Sequence, residues 1–387
     1  MKDIIVEEIQ ALKEQLCEIS DYIANNPEMG DQEFKAVEKL TSFLKSKGFS
    51  VETNIIGKPT AFKSVYDSKK PGPTVSFLCE YDALPGIGHG CGHNMIGTMS
   101  CGAAAGLSKV LDKTGGRIVV LGTPAEETSG AKVYMAEKGV FNDIDVAMIL
   151  HPEDKTYESG NSLAMDALQF DFSGKASHAA SSPHKGINAL DAVILTFNGI
   201  NALRQHLTTD VRIHGIVKEG GKAANIVPDK AVAQFYVRAG KKEYLTEVTE
   251  KVKNIARGAA LMTGARLEIS NYELSYDDMK TNQNLSRAFT ANLKLAGMDE
   301  IHPERSSYGS MDMGNVSNVV PAIHPYISIS DTGLPGHTPE FRDATLGDKA
   351  HDALVKGACT LALTGYDVLT DKELLRRIKE EFASISK

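Results

Sequence analysis

The fold is decided by residues 74–94, which read TVSFLCEYDALPGIGHGCGHN. The first six residues are nearly continuously apolar, which predicts a strand buried on both faces. Glu80 and Asp82 follow this strand, and a glycine-rich loop then brings Cys91 and His93. Thiol and imidazole groups at the end of a buried strand are typical ligands of a metal ion, so this segment predicts one half of a metal site.

Strands and helices alternate outward from this segment. Further strands are predicted at residues 51–55, 117–121, 146–150 and 326–330, and helices at 95–111, 131–138 and 348–364. Upstream, apolar residues recur at steps of three and four over residues 5–23, which predicts a single amphipathic helix, and a second helix is predicted at 34–44. This alternation indicates an α/β fold with a mostly parallel sheet that helices cover on both faces.

Residues 167–278 have a different pattern. Strands predicted at 168–172, 211–217, 231–237 and 266–270 alternate with helices predicted at 186–207 and 241–262. The order β-α-β-β-α-β is that of a ferredoxin-like α+β unit. We therefore expect one α/β domain of residues 1–166 and 279–387, into which a second domain of residues 167–278 is inserted.

The composition excludes several classes of protein. A net charge of −8 and the lack of a basic stripe give no reason to expect nucleic-acid binding. No apolar run approaches the ~20 residues of a membrane span, and the acidic, amphipathic start of the chain does not resemble a signal peptide. Five scattered cysteines are an odd number, which argues against a disulfide framework and predicts a cytoplasmic protein. The glycine spacing in residues 86–92 does not fit the dinucleotide-binding motif G-x-G-x-x-G.

Histidine, cysteine and glutamate side chains follow four of the predicted strands. In an open α/β sheet, ligands bind beyond the carboxyl ends of the strands, so we expect these side chains to converge. They are Cys91 and His93, Glu126 and Glu127, His151, and His337. Sulfur, nitrogen and oxygen ligands together suit zinc or a neighbouring divalent transition metal. Because the candidates outnumber the ligands that one tetrahedral ion needs, a pair of ions is the better interpretation.

The consecutive acids Glu126 and Glu127 indicate hydrolysis. In extended backbone they point in different directions, so one can bind metal while the other carries a proton from a metal-bridging water to a leaving nitrogen. Two other interpretations stay open: a cysteine hydrolase with Cys91 as nucleophile and His93 as base, and a non-catalytic protein that binds metal or a ligand. Asp82 is either a turn acid or a group that orients His93.

Taken together, these motifs resemble a known family. The segments that carry the resemblance are YDALP at 81–85, GCGHN at 90–94, PAEE at 124–127, HP at 151–152, SHAA at 177–180 and GHTPEF at 336–341. They are similar to motifs of the co-catalytic metallopeptidase and amidohydrolase family, which includes aminoacylases, hippurate hydrolases, indole-acetyl-amino-acid hydrolases and p-aminobenzoyl-glutamate hydrolase. The resemblance covers nearly the whole chain. It implies a zinc-exopeptidase-like α/β domain with an inserted lid domain through which a homodimer forms.

The resemblance also implies roles for individual residues. Two divalent ions, zinc or manganese, would be bound by Cys91, His93, Glu127, His151 and His337. Glu126 would be the general base, and Asp82 would support catalysis by orienting His93. In the inserted domain, His178 would polarise the scissile carbonyl in the partner subunit's active site, while Asn225 and Arg238 would contact the substrate.

Two segments narrow the branch of this family. GSMDMGNVSNVVP at 309–321 and IHPYISI at 323–329 look most like the p-aminobenzoyl-glutamate hydrolase and β-alanyl-dipeptidase-like branch. Glu80 stands where aminopeptidase-like branches carry a histidine, so its role as a ligand stays open. We expect hydrolysis of the amide in an N-acyl or N-aroyl amino acid or a small dipeptide, with a β-alanyl dipeptidase as the alternative.

Overall fold

The structure, a computed structural model, describes residues 1–304 and 309–385. The helices are α1 (Lys2–Ala11), α2 (Lys13–Asn25), α3 (Phe34–Ser46), α4 (His93–Thr114), α5 (Ala131–Glu137), α6 (Ala189–Leu203), α7 (Lys242–Thr263), α8 (Gln283–Leu295), α9 (Met313–Ser317), α10 (Pro339–Ala344), α11 (Asp348–Thr370) and α12 (Lys372–Ile385). The strands are β1 (Ser50–Thr53), β2 (Phe62–Asp67), β3 (Thr74–Cys79), β4 (Arg117–Gly122), β5 (Val146–Met148), β6 (His151–Glu153), β7 (Ala164–Ser173), β8 (Arg212–Glu219), β9 (Lys230–Ala239), β10 (Arg266–Asn271), β11 (Ala322–Ile323) and β12 (Tyr326–Ser328). Within the described residues, no helix combines the length and the apolar character that a membrane span requires.

The chain divides into two compact units. The first contains Met1–Asn161 and most of the chain from Met279 onward, and the second contains Ser162–Asp278. Each unit has a hydrophobic core of its own. Two cores are expected for a chain of 387 residues, because its length exceeds the size that a single core usually reaches.

The first unit is built around a six-stranded sheet in the order β1-β2-β4-β3-β5-β11. Strands β4, β3, β5 and β11 pair in parallel, whereas β1 and β2 add antiparallel pairs at one edge. Strand β3 lies between β4 and β5, and all six of its residues are buried. This arrangement confirms the predicted α/β fold with a mostly parallel sheet.

Helix α4 packs closely on its neighbours because small residues occupy its contact positions. A Cβ atom at Gly106 would lie 2.5 Å from Cγ1 of Ile9, and a Cβ atom at Gly102 would lie 2.9 Å from Cδ1 of Leu16. Helices α1 and α2 therefore approach the backbone of α4 directly. Since α4 begins at His93, this packing fixes the position of a predicted metal ligand.

Two expectations about secondary structure are wrong. The single helix predicted over residues 5–23 is two helices, α1 and α2, which meet at Leu12. The strand predicted at 326–330 does not belong to the main sheet: β12 pairs in parallel with β6 in a separate two-stranded sheet, and β11 takes the place beside β5. Pro325 lies between β11 and β12 and has no N–H group to donate to a ladder, which explains why the strand is interrupted there.

The second unit contains a four-stranded antiparallel sheet in the order β10-β7-β9-β8. Helices α6 and α7 contribute apolar side chains such as Val193 and Val252 to the core of this unit. Strand β8 is an edge strand, and most of its residues are exposed, including Ile216 and Val217. The second unit thus presents an unpaired strand edge with apolar side chains.

Candidate metal centre

His93 is the first residue of helix α4, and Asp82 holds its side chain. The Nδ1–H group of His93 donates to Oδ1 of Asp82 at 2.8 Å, which leaves Nε2 as the ligand atom. Both side chains are buried, and Nε2 of His93 has no hydrogen-bond partner among the described residues. Oδ2 of Asp82 accepts the backbone N–H of Glu127 at 3.0 Å. Asp82 therefore positions one predicted ligand through its side chain and another through its backbone.

Cys91 and His151 approach each other from the loop before α4 and from strand β6. Sγ of Cys91 lies 3.5 Å from Nε2 of His151. The Nδ1–H group of His151 donates to the carbonyl oxygen of Pro152 at 2.6 Å, so Nε2 of the neutral ring carries no proton. The rings of His93 and His151 meet edge to face, with their centres 5.8 Å apart. A thiol and two imidazole nitrogens thus converge on one space.

His337 reaches the site from the loop between β12 and α10. Its backbone has a φ of +63°, a left-handed conformation that a non-glycine residue rarely adopts. Its N–H donates to the carbonyl oxygen of Gly90 at 2.8 Å, and its Nε2 lies 3.3 Å from Oε1 of Glu127. Unusual backbone of this kind is concentrated at functional sites. The side chain is 57% exposed, so His337 is the predicted ligand that faces solvent.

The five predicted ligands form two groups that share Cys91. Cys91, His93 and His151 offer ligand atoms within 4.8 Å of one another, and so do Cys91, Glu127 and His337. Ligands bonded to one zinc ion at ~2.0–2.3 Å lie about 3–4.6 Å apart, so the spacing of both groups fits a bound ion. Among the described residues, Oε1 of Glu127 is a second buried atom without a hydrogen-bond partner, beside Nε2 of His93. Spacing, donor chemistry and unpartnered atoms all fit a divalent metal.

Glu126 lies beside these groups. One of its oxygens is within 4.8 Å of ligand atoms of His93 and Glu127. The residue before it, Ala125, is buried and has a φ of +62°. Burial raises the pKa of Glu126 well above its usual range, and the negative charge of Glu80 raises this pKa further. A carboxyl group with a raised pKa can hold and release a proton near neutral pH.

The charges of the predicted ligands depend on their neighbours. Burial alone would raise the pKa of Glu127, but the hydrogen bond from His337 and the charge of His93 lower it to about 2. Glu127 in turn raises the pKa of His337. Burial raises the pKa of the Cys91 thiol, so this side chain needs a bound cation to ionise. This property suits a metal ligand and disfavours Cys91 as an unassisted nucleophile.

A buried ion cluster beside His93 is a feature that the sequence does not predict. Nζ of Lys132 lies 2.7 Å from Oε1 of Glu80 and 2.6 Å from Oδ1 of Asp312, and all three residues are buried. Burial would raise the pKa of Glu80, but Lys132 and His93 lower it to about 2. Oε2 of Glu80 lies 3.4 Å from Nε2 of His93, yet Glu80 joins none of the ligand groups among the described residues. Glu80 is therefore an ionised acid that Lys132 holds at the edge of the site.

His178 and Asn225 lie on adjacent loops of the second unit. Both residues are exposed. Nδ1 of His178 accepts the backbone N–H groups of Ala180 and Ser181, each at 3.2 Å. The carbonyl oxygen of Asn225 accepts the N–H of Ala179 at 2.9 Å, so the two loops are joined through their backbones.

Arg238 lies on strand β9 of the second unit and is half-buried. Its guanidinium carbon lies 5.6 Å from the centre of the Tyr236 ring, a cation–π arrangement. Its Nη2 lies 3.8 Å from Sδ of Met165 on the neighbouring strand β7. These contacts hold the side chain in the sheet.

Known proteins resemble this chain in sequence and in fold. Residues 165–262 match the family model of the M20 peptidase dimerisation domain. Over nearly its whole length the chain is similar to the Xaa-Arg dipeptidase of Mus musculus, with 36% identity across 99% of this chain and 92% of that relative. The chain belongs to the M20 peptidase family.

Two further M20-type proteins are similar to this chain. One of the two kinds of subunit of p-aminobenzoyl-glutamate hydrolase from Escherichia coli (strain K12) is 28% identical across 98% of this chain and 94% of that relative. A dinuclear metal-binding M20 peptidase from Bacillus subtilis has the same fold, with a TM-score of 0.68 at 19% identity over 92% of this chain and 98% of that one. This M20 chain is a metal-dependent hydrolase of amide bonds. Its membership confirms the family resemblance and the enzyme class predicted from the sequence.

Proposed function

We propose that this M20 protein binds two divalent ions, zinc or manganese, and hydrolyses the amide between an acyl or aroyl group and an amino acid. The observation that carries the proposal is the pair of ligand groups that share Cys91, with Glu126 beside them. When bound, the ions would supply the Lewis acidity that polarises an amide carbonyl and lowers the pKa of water. Asp82 would keep His93 and Glu127 in place for this chemistry.

The donor sets of the two groups differ in character. Thiolate and imidazole ligands suit zinc, so the group of Cys91, His93 and His151 favours this ion. Carboxylate oxygen suits manganese, which the group with Glu127 and His337 accommodates better. We therefore propose that the enzyme functions with zinc and also accepts manganese.

Glu126 is the proposed general base. Its raised pKa, caused first by burial, matches a group that exchanges protons during a reaction near neutral pH. Glu126 takes a proton from the attacking water and delivers it to the leaving nitrogen. The amide is thereby converted to a carboxylic acid and an amine, and Glu126 returns to its starting state.

His178 is the proposed electrophile in the second unit. Because its Nδ1 accepts two backbone N–H groups, the ring proton of the neutral side chain is on Nε2, which can donate to a carbonyl oxygen. Asn225 and Arg238 are the proposed substrate contacts, and the fork of N–H donors on Arg238 matches a carboxylate. A carbonyl and a carboxylate are the acceptors that an N-acyl amino acid carries. In a homodimer, His178 would act on the site of the partner subunit.

We propose that the homodimer forms through the second unit. The matched dimerisation domain covers most of this unit, and the exposed edge strand β8 offers unpaired backbone groups beside Ile216, which is 60% exposed. Light scattering of the purified protein should give the mass of a dimer. Ile216→Asp should shift the mass toward the monomer, and a monomeric wild-type protein would contradict the proposal.

The relatives favour two substrate classes. One is named for a dipeptide with arginine, and the other for the amide between p-aminobenzoate and glutamate. Both linkages join a carbonyl group to the nitrogen of an amino acid that keeps its carboxylate. The 36% identity to the dipeptidase makes a small dipeptide, including one of the β-alanyl type, the second candidate substrate.

The decisive experiment is a substrate screen at controlled metal content. Enzyme stripped with a chelator and reloaded with zinc or manganese is tested on N-acetyl, hippuryl and p-aminobenzoyl-glutamate amides and on β-alanyl and Xaa-Arg dipeptides. We expect turnover of at least one of these amides, loss on chelation and recovery on reloading. Full activity after chelation, together with inhibition by a thiol alkylator, would instead identify the Cys91-dependent hydrolase. We also propose a cytoplasmic location, because a reducing compartment keeps Cys91 available to a metal.

A further inference from the structure

Residues 28–33, with the sequence EMGDQE, contact two segments of the metal centre; we call them the 28–33 loop. The carbonyl oxygen of Glu28 accepts the N–H of Ala83 at 2.8 Å, directly after Asp82. Oδ2 of Asp31 accepts the hydroxyl of Ser129 at 2.7 Å, in the segment that carries Glu126 and Glu127. The 28–33 loop therefore connects the segment of Asp82 with the segment of the proposed base.

Glu33 makes the contact nearest to the proposed base. Its Oε1 accepts the N–H of Ala125 at 2.8 Å, and Ala125 immediately precedes Glu126. Ala125 has the left-handed φ of +62°, which disfavours any residue with a Cβ atom. The loop also packs tightly here, because a Cβ atom on Gly30 would lie 2.9 Å from the Cβ atom of Ala125. The unfavourable turn is thus held by a hydrogen bond and by close packing.

Glu33 is an unusual residue to find in this place. Its side chain is 0% exposed, and its Oε2 has no hydrogen-bond partner among the described residues. Burying a carboxyl group without full compensation lowers stability, whereas an apolar side chain would not have this cost. An apolar side chain could not accept the N–H of Ala125, and this acceptor function is the specific contribution of Glu33.

We propose that Glu33 is a positioning residue for catalysis: it fixes the left-handed turn at Ala125 and thereby sets the position of Glu126. The proposal rests on the proposed role of Glu126 as the base. Glu33 touches neither the substrate nor the ligand groups in this account. Its effect must therefore pass entirely through Glu126.

A double-mutant cycle with Glu33→Leu and Glu126→Gln tests this coupling. We expect Glu33→Leu to lower kcat about 10- to 100-fold while KM and the bound metal per subunit stay within twofold of wild type. In the Glu126→Gln background, Glu33→Leu should lower kcat less than twofold further. Two independent multiplicative losses, or wild-type kcat in Glu33→Leu, would overturn the proposal. Wild-type kcat in Glu126→Gln alone would instead overturn the proposed function.

A conservative variant separates positioning from bulk packing. The amide oxygen of Glu33→Gln can still accept the N–H of Ala125, so kcat should stay within threefold of wild type. Asp145→Ala is the matched control, because Asp145 accepts the backbone N–H of Thr74 at 2.7 Å at the opposite end of β3 and should not affect kcat. If Glu33→Leu does not fold, amide hydrogen exchange decides on the wild-type protein. Strong protection of the Ala125 amide is expected, and exchange as fast as in an exposed loop would overturn the proposal.

Discussion

Asp82 accepts a hydrogen bond of 2.8 Å from Nδ1 of His93, and this contact orients the ring whose Nε2 faces the other predicted ligands. The second oxygen of the same carboxylate accepts the backbone N–H of Glu127 at 3.0 Å. One buried acid thus connects a ligand from each of the two groups that share Cys91. Neither oxygen can be replaced by an N–H donor without a clash of two donors.

The first prediction concerns metal affinity. Asp82→Asn leaves only one acceptor oxygen for two N–H groups, so we expect the affinity for zinc to fall about 10- to 100-fold. Competition with a chromophoric chelator measures this change. Asp145→Asn alters a carboxylate that also accepts a backbone N–H but lies outside the site, and its zinc affinity should equal that of wild type. Equal affinities of Asp82→Asn and wild type would refute the orienting role.

The second prediction concerns the buried ion cluster. Lys132→Met leaves the buried acids Glu80 and Asp312 without their cation, so we expect the free energy of unfolding to fall by about 3–5 kcal/mol. Urea titration of the metal-free protein measures this loss. Lys109 forms a surface pair with Glu8 at 3.1 Å, and Lys109→Met should cost less than ~1 kcal/mol. Similar losses in the two variants would contradict the importance of the cluster.

The third prediction is a pH dependence of stability. Burial raises the pKa of Glu33 from 4.5 to about 7, so between these pH values the folded protein keeps a proton that the unfolded chain has released. The stabilisation is therefore complete below pH 4.5 and is lost as the pH rises to about 7. Glu33→Gln does not titrate. The stability of Glu33→Gln relative to wild type should thus increase by about 3 kcal/mol from pH 4.5 to pH 8 in urea titrations, and a constant difference would contradict the raised pKa.

The fourth prediction concerns His178. Replacing it with glutamine removes the imidazole N–H that is proposed to polarise the substrate carbonyl, and we expect kcat to fall about 100- to 1000-fold. Metal content should not change, because the five proposed ligands lie outside the second unit. His184→Gln alters another exposed histidine of the same unit and serves as the control. Loss of metal in His178→Gln, or an equal effect of both substitutions, would exclude the proposed role.

The sequence predicts the ligands well because each ligand signal is local. Cys91 and His93 stand two positions apart after a buried strand, and His151 and His337 each stand in a short motif. The structure brings these residues together, although His151 and His337 do not extend from the main sheet as predicted. The small sheet of β6 and β12 supports them instead. Strand β2 is not predicted, because Ser64 is buried beside Phe62 and breaks the alternation of apolar and polar residues.

The supporting residues are not predicted because their signals are not local. Lys132 lies in the short helix α5, where a lysine usually faces solvent, and its partner Asp312 is 180 positions away. Glu33 directly precedes helix α3, a place where an acid usually serves as a cap. The left-handed turn at Ala125 that Glu33 supports has no sequence signal, because glycine rather than alanine is the usual residue there. Only the three-dimensional contacts relate these residues to the metal centre.

The turnover number of Glu126→Gln, measured on enzyme whose metal content equals that of wild type, tests the central claim most directly. Glutamine keeps the size of the side chain but cannot accept and release a proton, so kcat should fall about 100- to 10,000-fold. Glu340→Gln, at an exposed position in α10, is the control and should keep wild-type turnover. A kcat of Glu126→Gln within twofold of wild type, with both metals bound, would contradict the account.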